Sequence, residues 1–203
     1  MSDLSRDIGA SIVQCCDGWA ATKAGYRLLS NEAVEWSAIL EPHREKTVAR
    51  MAQYERVLCI QDTTELDFTR HPSTQGLGRL NHDYRHGMYC HPTLAVSETG
   101  GVLGVLDAWM WSRQAKDEPD IRESTRWTED YQRVAELKAE LSCTEIVYVA
   151  DREADIRELM TAAQQQENAI HWLVRAKHNR VTGDGKLWDR LSVAEVLGTV
   201  QFT

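Results

Sequence analysis

Apolar positions along the chain change their period several times, and each change marks an element. Over the first fifty-odd residues they recur at helical spacing, as in "ATKAGYRLLS". Ser30 or Asn31 can cap a following helix, "SNEAVEWSAILEP", in which Val34, Ile39 and Leu40 would face a core. Pro42 suits the first turn of the helix after that. "VLCIQDTT" then reads as a buried strand ending near Asp62. After a polar loop, "PTLAVSETGGVLGVLDAWMWS" reads as two strands joined at Thr99-Gly100-Gly101, with His86 and Gly87 in the loop that leads in. Trp109 and Trp111 fall on one face of the second strand, because side chains alternate.

The charged loop "RQAKDEPDIRES" leads to the helix "TRWTEDYQRVAELKAEL", where Trp127, Tyr131, Val134, Leu137 and Leu141 form an apolar stripe. "EIVYVAD" is the next strand, "ADIRELMTAAQQQ" the next helix and "AIHWLVRAK" another strand; "GTVQFT" reads as a strand beginning. This order predicts an α/β fold, an antiparallel hairpin beside parallel strands. A helix before "EIVYVAD" permits a right-handed crossover. The strand ending at Asp151 can then lie parallel to the one ending at Asp62, with both carboxylates at one edge of the sheet, where α/β proteins place their sites.

Composition narrows the classes. Apolar residues make up 42% of 203 residues, enough for a packed core. The formal charge of −8 has the wrong sign for coating nucleic acid by bulk attraction, so any DNA contact must rest on local basic patches. The five cysteines (Cys15, Cys16, Cys59, Cys90 and Cys143) include no C-x-x-C pair, which points to reduced, mostly buried thiols rather than a disulfide framework or zinc ribbon. No run approaches the ~20 apolar residues of a membrane span, and the acidic N-terminus does not read as a secretory signal. A cytoplasmic protein is expected.

Two carboxylates converging from adjacent strand ends suit magnesium, a hard cation that takes oxygen ligands. Each alone has a plainer role: Asp151 as a helix cap, Asp62 as an Asx-turn ahead of two threonines. "IQDTTELDF", "VADREADI" and "LVRAKHNR", in this order, resemble the DDE transposases of the insertion-sequence family four, which includes the transposase of transposon five. "AGYRLLSNEAV", "HGMYCHPTLAV" and "GVLDAWMW" are similar to that family too, so the likeness spans nearly the whole chain.

The resemblance implies an RNase-H-like core that performs cut-and-paste transposition. On it Asp62, in the "DTT" element, and Asp151, opening "DREAD", are catalytic ligands of magnesium, with manganese as a substitute. Water attacks the phosphodiester at the transposon end, and the freed 3′ hydroxyl opens a hairpin or joins target DNA. Double-stranded DNA, at transposon ends and target, is the implied partner; pairing with a second copy or with full-length transposase is a further possibility. The third acid of such enzymes is a glutamate on a later helix, past a β-rich insertion. The chain is therefore expected to be truncated at both ends and inactive alone. Residues 1–55 would form a helical segment of the DNA-binding region, 56–192 a partial catalytic core and 193–203 the start of the insertion. The alternative is a non-catalytic DNA- or partner-binding product, or a decaying relic.

Arg175, Lys177, His178 and Arg180 form a basic cluster after "IHWLV", either a solvated strand end or, on the resemblance, contacts to transposon-end phosphates. Alternation would put Arg175 and Lys177 on one strand face. Asp155 would cap or pair with Arg152 or Arg157. His82, His86, Cys90 and His91 lack the spacing of a zinc finger. "IQDTT" lacks the second acid of a haloacid dehalogenase, and no Walker lysine loop occurs.

Overall fold

The structure, a computed structural model, describes residues 7, 9–113, 123–165 and 170–199. The chain divides into two compact units, residues 1–46 and 47–203. In the first, α1 (Ile12–Cys15) opens on a capping box, in which the Gln14 amide donates to the Ser11 hydroxyl and the Ser11 amide to the Gln14 side chain. Gly18, at φ 85°, supplies the left-handed turn that lets α2 (Gly18–Leu29) follow at once. Asn31 accepts the Ala33 amide at 3.1 Å, making a turn rather than a cap. The next helix, α3 (Trp36–Met51), starts later than the sequence suggests and carries Pro42 in its interior. Pro42 forgoes one backbone bond there, and the helix-favouring residues of "REK" beyond it carry the helix on. Val34 and Leu40 are half-buried, and Ile39 is exposed.

The second unit contains β1 (Arg56–Gln61), β2 (Thr64–Asp67), β3 (Gly78–Arg79), β4 (His86–Ser97), β5 (Val102–Trp111), α4 (Glu123–Glu136), β6 (Glu145–Ala150), α5 (Arg157–Gln165), β7 (His171–Val174), β8 (Val181–Thr182), β9 (Gly185–Lys186) and α6 (Leu187–Val193). The main sheet runs β5-β4-β1-β6-β7. Strand β4 is antiparallel to β1 and β5, whereas β6 is parallel to β1 and β7. This is a mixed α/β sheet compatible with an RNase-H-like fold. The hairpin beside parallel strands, and the pairing of the strands that lead to Asp62 and Asp151, are as the sequence predicts.

Strand β4 is longer than expected, because His86 and Gly87 belong to it rather than to a loop. It holds β1 along residues 93–97 and β2 along residues 87–90, with β5 across its other side. A Cβ on Gly87 would stand 2.0 Å from the Leu66 carbonyl oxygen, so only glycine lets β2 approach. "TELD" and "GR" are too polar and too short for apolar periodicity to reveal β2 and β3. Strand β7 ends at Val174, so Arg175 and Lys177 follow the strand instead of sharing its face. Gly198 and Thr199 form no element, and the rest of "GTVQFT", like most of the charged loop 113–124, lies outside the described residues.

The core lies between the sheet and α4. The whole predicted stripe is buried, Trp127, Tyr131 and Val134 on α4 and Leu137 and Leu141 just after it. It packs with Val57, Cys59, Ile146 and Tyr148, and Tyr131 meets Tyr148 edge-on at 5.4 Å. Trp109 and Trp111 share a face, as expected: the α4 residues Arg133 and Arg126 stack on them at 4.3 and 3.6 Å. All five cysteines are free; Cys15 and Cys59 are buried, Cys143 is exposed, and burial pushes the Cys59 thiol up to about 12. Among the described residues no helix is long and apolar enough to cross a membrane.

Candidate metal and nucleic-acid site

The parallel ladder of β1 and β6 ends on the pair Gln61–Ala150. Asp62 and Asp151 are the next residues on each strand, and neighbouring strands stand roughly 4.8 Å apart. The register therefore sets the two aspartates side by side at the carboxyl edge of the sheet. Gln61 pins the end of β1 by donating to the Thr93 hydroxyl at 2.7 Å inside the core. Asp62 Oδ1 accepts the Thr63 amide at 2.8 Å. Asp151 Oδ1 accepts the Glu153 amide at 2.7 Å, and so caps the short 3-10 turn Arg152–Ala154 rather than α5. The second oxygen of each carboxylate has no hydrogen-bond or ion-pair partner among the described residues. Two unengaged carboxylate oxygens at a solvent-reachable edge fit a hard divalent cation that completes its shell with water. Among the described residues no group of three or more His, Cys, Asp or Glu side chains could hold a metal. The histidines of the zinc reading part company: His82 stacks on Tyr84, His86 is exposed and His91 is buried.

Behind Asp62 runs a chain of contacts that the motifs did not reveal. Thr63 Oγ1 lies 2.8 Å from His91 Nδ1, and His91 Nε2 lies 3.2 Å from Asp130 Oδ2, within ion-pair range but off the angle of a hydrogen bond. Both side chains of that pair are 1% exposed, and the Trp127 ring stands edge-on against His91 at 4.4 Å. Burial pushes the Asp130 carboxyl above the usual range, with His91 opposing the shift. A cavity of about 110 Å³ opens beside the chain, lined by Thr63, His91, Trp111, Arg126, Trp127 and Glu153 among others. One signal was available: Asp130 sits three residues after Trp127 and four before Val134, a polar residue on an apolar stripe.

The basic cluster is split by its partners. The Arg175 amide donates to the Ala150 carbonyl at 3.2 Å, which brings Arg175 beside the strand end that precedes Asp151. The Lys177 and His178 amides donate to Asp155 Oδ2 at 2.7 and 2.9 Å, and Arg180 Nε donates to Asp155 Oδ1 at 2.8 Å. Asp155 thus organises the 177–180 loop instead of pairing with Arg152 or Arg157. Burial alone would raise its carboxyl; the His178 and Lys177 amides and Arg180 outweigh burial and hold it below its usual range.

A second basic stripe lies in the first unit. Lys23, Arg27 and Asn31 succeed one another four residues apart and line a shallow groove with Ala20, Ala24 and Leu28. Residues 1–34 match the family model described as transposase DNA-binding. The match supports a transposase-related role and DNA as the partner. Helices α1 and α2, with Lys23 and Arg27, lie inside the matched segment.

Proposed function

We propose that the chain is part of a DDE transposase of the insertion-sequence family four, with a divalent-cation site at Asp62 and Asp151. The observation that carries this reading is the β1–β6 register, which puts an aspartate with an oxygen to spare one residue past the end of each strand. In it Asp62 and Asp151 hold magnesium, which supplies a polarised water and charge neutralisation at a phosphodiester. The Thr63 and Glu153 amides fix one oxygen of each carboxylate, and the Gln61–Thr93 bond keeps the end of β1 in place. DNA is bound through residues 1–34, with Lys23 and Arg27 facing phosphates, and through Arg175 and Lys177 near the aspartate edge. The roles that Asp62, Asp151 and the basic residues support are cation and DNA binding.

The test is a manganese titration of the 203-residue chain, following free Mn²⁺ by electron paramagnetic resonance. Wild type is expected to bind, and Asp62→Asn and Asp151→Asn are each expected to lose the site. Equal binding by all three proteins would overturn the assignment. The matched segment also favours a second reading, a DNA-binding product without a cation site. Duplex binding that persists with no manganese uptake would select it.

A further inference from the structure

Asp130 is a buried acid with no part in holding the cation directly. Among the described residues its ion-pair partner is His91, with the charges of Asp107 and Arg133 also acting on it, and neither of its oxygens meets the geometry of a hydrogen bond. Such a group is costly inside a protein, and one that persists needs a reason beyond packing. Its surroundings supply one. Asp130 faces one ring nitrogen of His91, and the Thr63 hydroxyl stands within hydrogen-bond distance of the other, where either can be the donor according to the ring's tautomer.

Thr63 is the residue whose amide holds Asp62 Oδ1. The path from the core to the strand end is therefore Asp130, His91, Thr63, Asp62, with contacts of 3.2, 2.8 and 2.8 Å. It links three parts of the unit: α4 supplies the acid, β4 the imidazole and the connection between β1 and β2 the hydroxyl.

We propose that Thr63, His91 and Asp130 are positioning residues that aim the Asp62 carboxylate at the cation. This rests on the reading of Asp62 as a ligand. Without the hydroxyl contact, the short connection between β1 and β2 loses its tether to the core, and the Thr63 amide that fixes Asp62 Oδ1 is no longer anchored. Losing an outer partner of a metal ligand typically weakens metal binding about 10–100-fold.

Manganese affinity of the full 203-residue chain, with thermal melting alongside, decides it. Thr63→Val keeps the shape and removes the hydroxyl; it is expected to bind Mn²⁺ about tenfold more weakly with its melting temperature nearly unchanged. Thr63→Ser restores the hydroxyl and is expected to restore affinity to within about twofold of wild type on the same scale. His91→Ala and Asp130→Asn should follow Thr63→Val where they fold; where they do not, the Val and Ser pair decides alone. Asp62→Asn separates the two ideas. Loss of binding in Asp62→Asn with wild-type affinity in Thr63→Val overturns the positioning role and leaves the ligand reading intact. Wild-type affinity in Asp62→Asn overturns the ligand reading itself.

Discussion

Two buried or bonded aspartates of this chain respond to folding in opposite senses. Asp67 is held down from 3.8 to about 2, first by the Thr69 hydroxyl at 2.6 Å, then by the Thr69 amide, with Arg85 adding its bond and charge. Its folded-state pKa lies below the unfolded one, so its contribution is present above the ordinary value and is lost as pH falls through about 2. Thr69→Val removes the leading cause, and an NMR titration should find the Asp67 carboxyl moved upward; an unmoved titration would show that the residue-69 amide and Arg85 set it without the hydroxyl. Asp130 behaves the other way. Burial raises it, so the folded state keeps that proton longer, and this residue subtracts stability as pH climbs from the ordinary carboxylate value through the raised one. A carboxyl that costs stability near neutrality is tolerated beside His91, where it has something to hold.

Among the elements, the legible ones are those whose burial follows a single period. The stripe of α4 and the alternation in β1 and β6 arise because each faces one continuous core, and the strand ends just before Asp62 and Asp151 follow directly. Strands β2 and β3 escape because their pairing with β4 depends on backbone bonds rather than apolar side chains. Pro42 misleads because a proline inside a helix mimics a helix start. The Thr63–His91–Asp130 chain was illegible for a different reason: its members are 28 or more residues apart, and only the packing of α4 on the sheet brings them together. Beyond β7 the basic residues have separate tasks, Arg180 tied to Asp155 and Arg175 held beside the aspartate edge by its backbone bond. The double substitution Arg175→Ala, Lys177→Ala should weaken duplex binding and reduce the slope of log affinity against log salt by about 0.9 for each phosphate no longer neutralised. An unchanged slope would remove this loop from the DNA surface.

At the scale of the whole molecule, β1 joins partners of very different reach along the chain. Strands β4 and β5 form a hairpin closed by the short turn at residues 99–101, whereas Arg56 on β1 bonds Glu145 on β6 across 89 residues. Closing a long loop delays a contact, so the hairpin and its docking on β1 precede the arrival of β6 during refolding. The two aspartates become neighbours only in that last step. In stopped-flow refolding, protection of β4 and β5 amides in pulsed hydrogen exchange should come before the capacity to take up Mn²⁺. Simultaneous appearance of both would mean that the parallel pair forms with the hairpin. A late-forming site would have a practical consequence: on the proposed reading a partly unfolded chain holds the two acids apart, so added Mn²⁺ is expected to stabilise the folded chain and to slow the separation of β6 from β1.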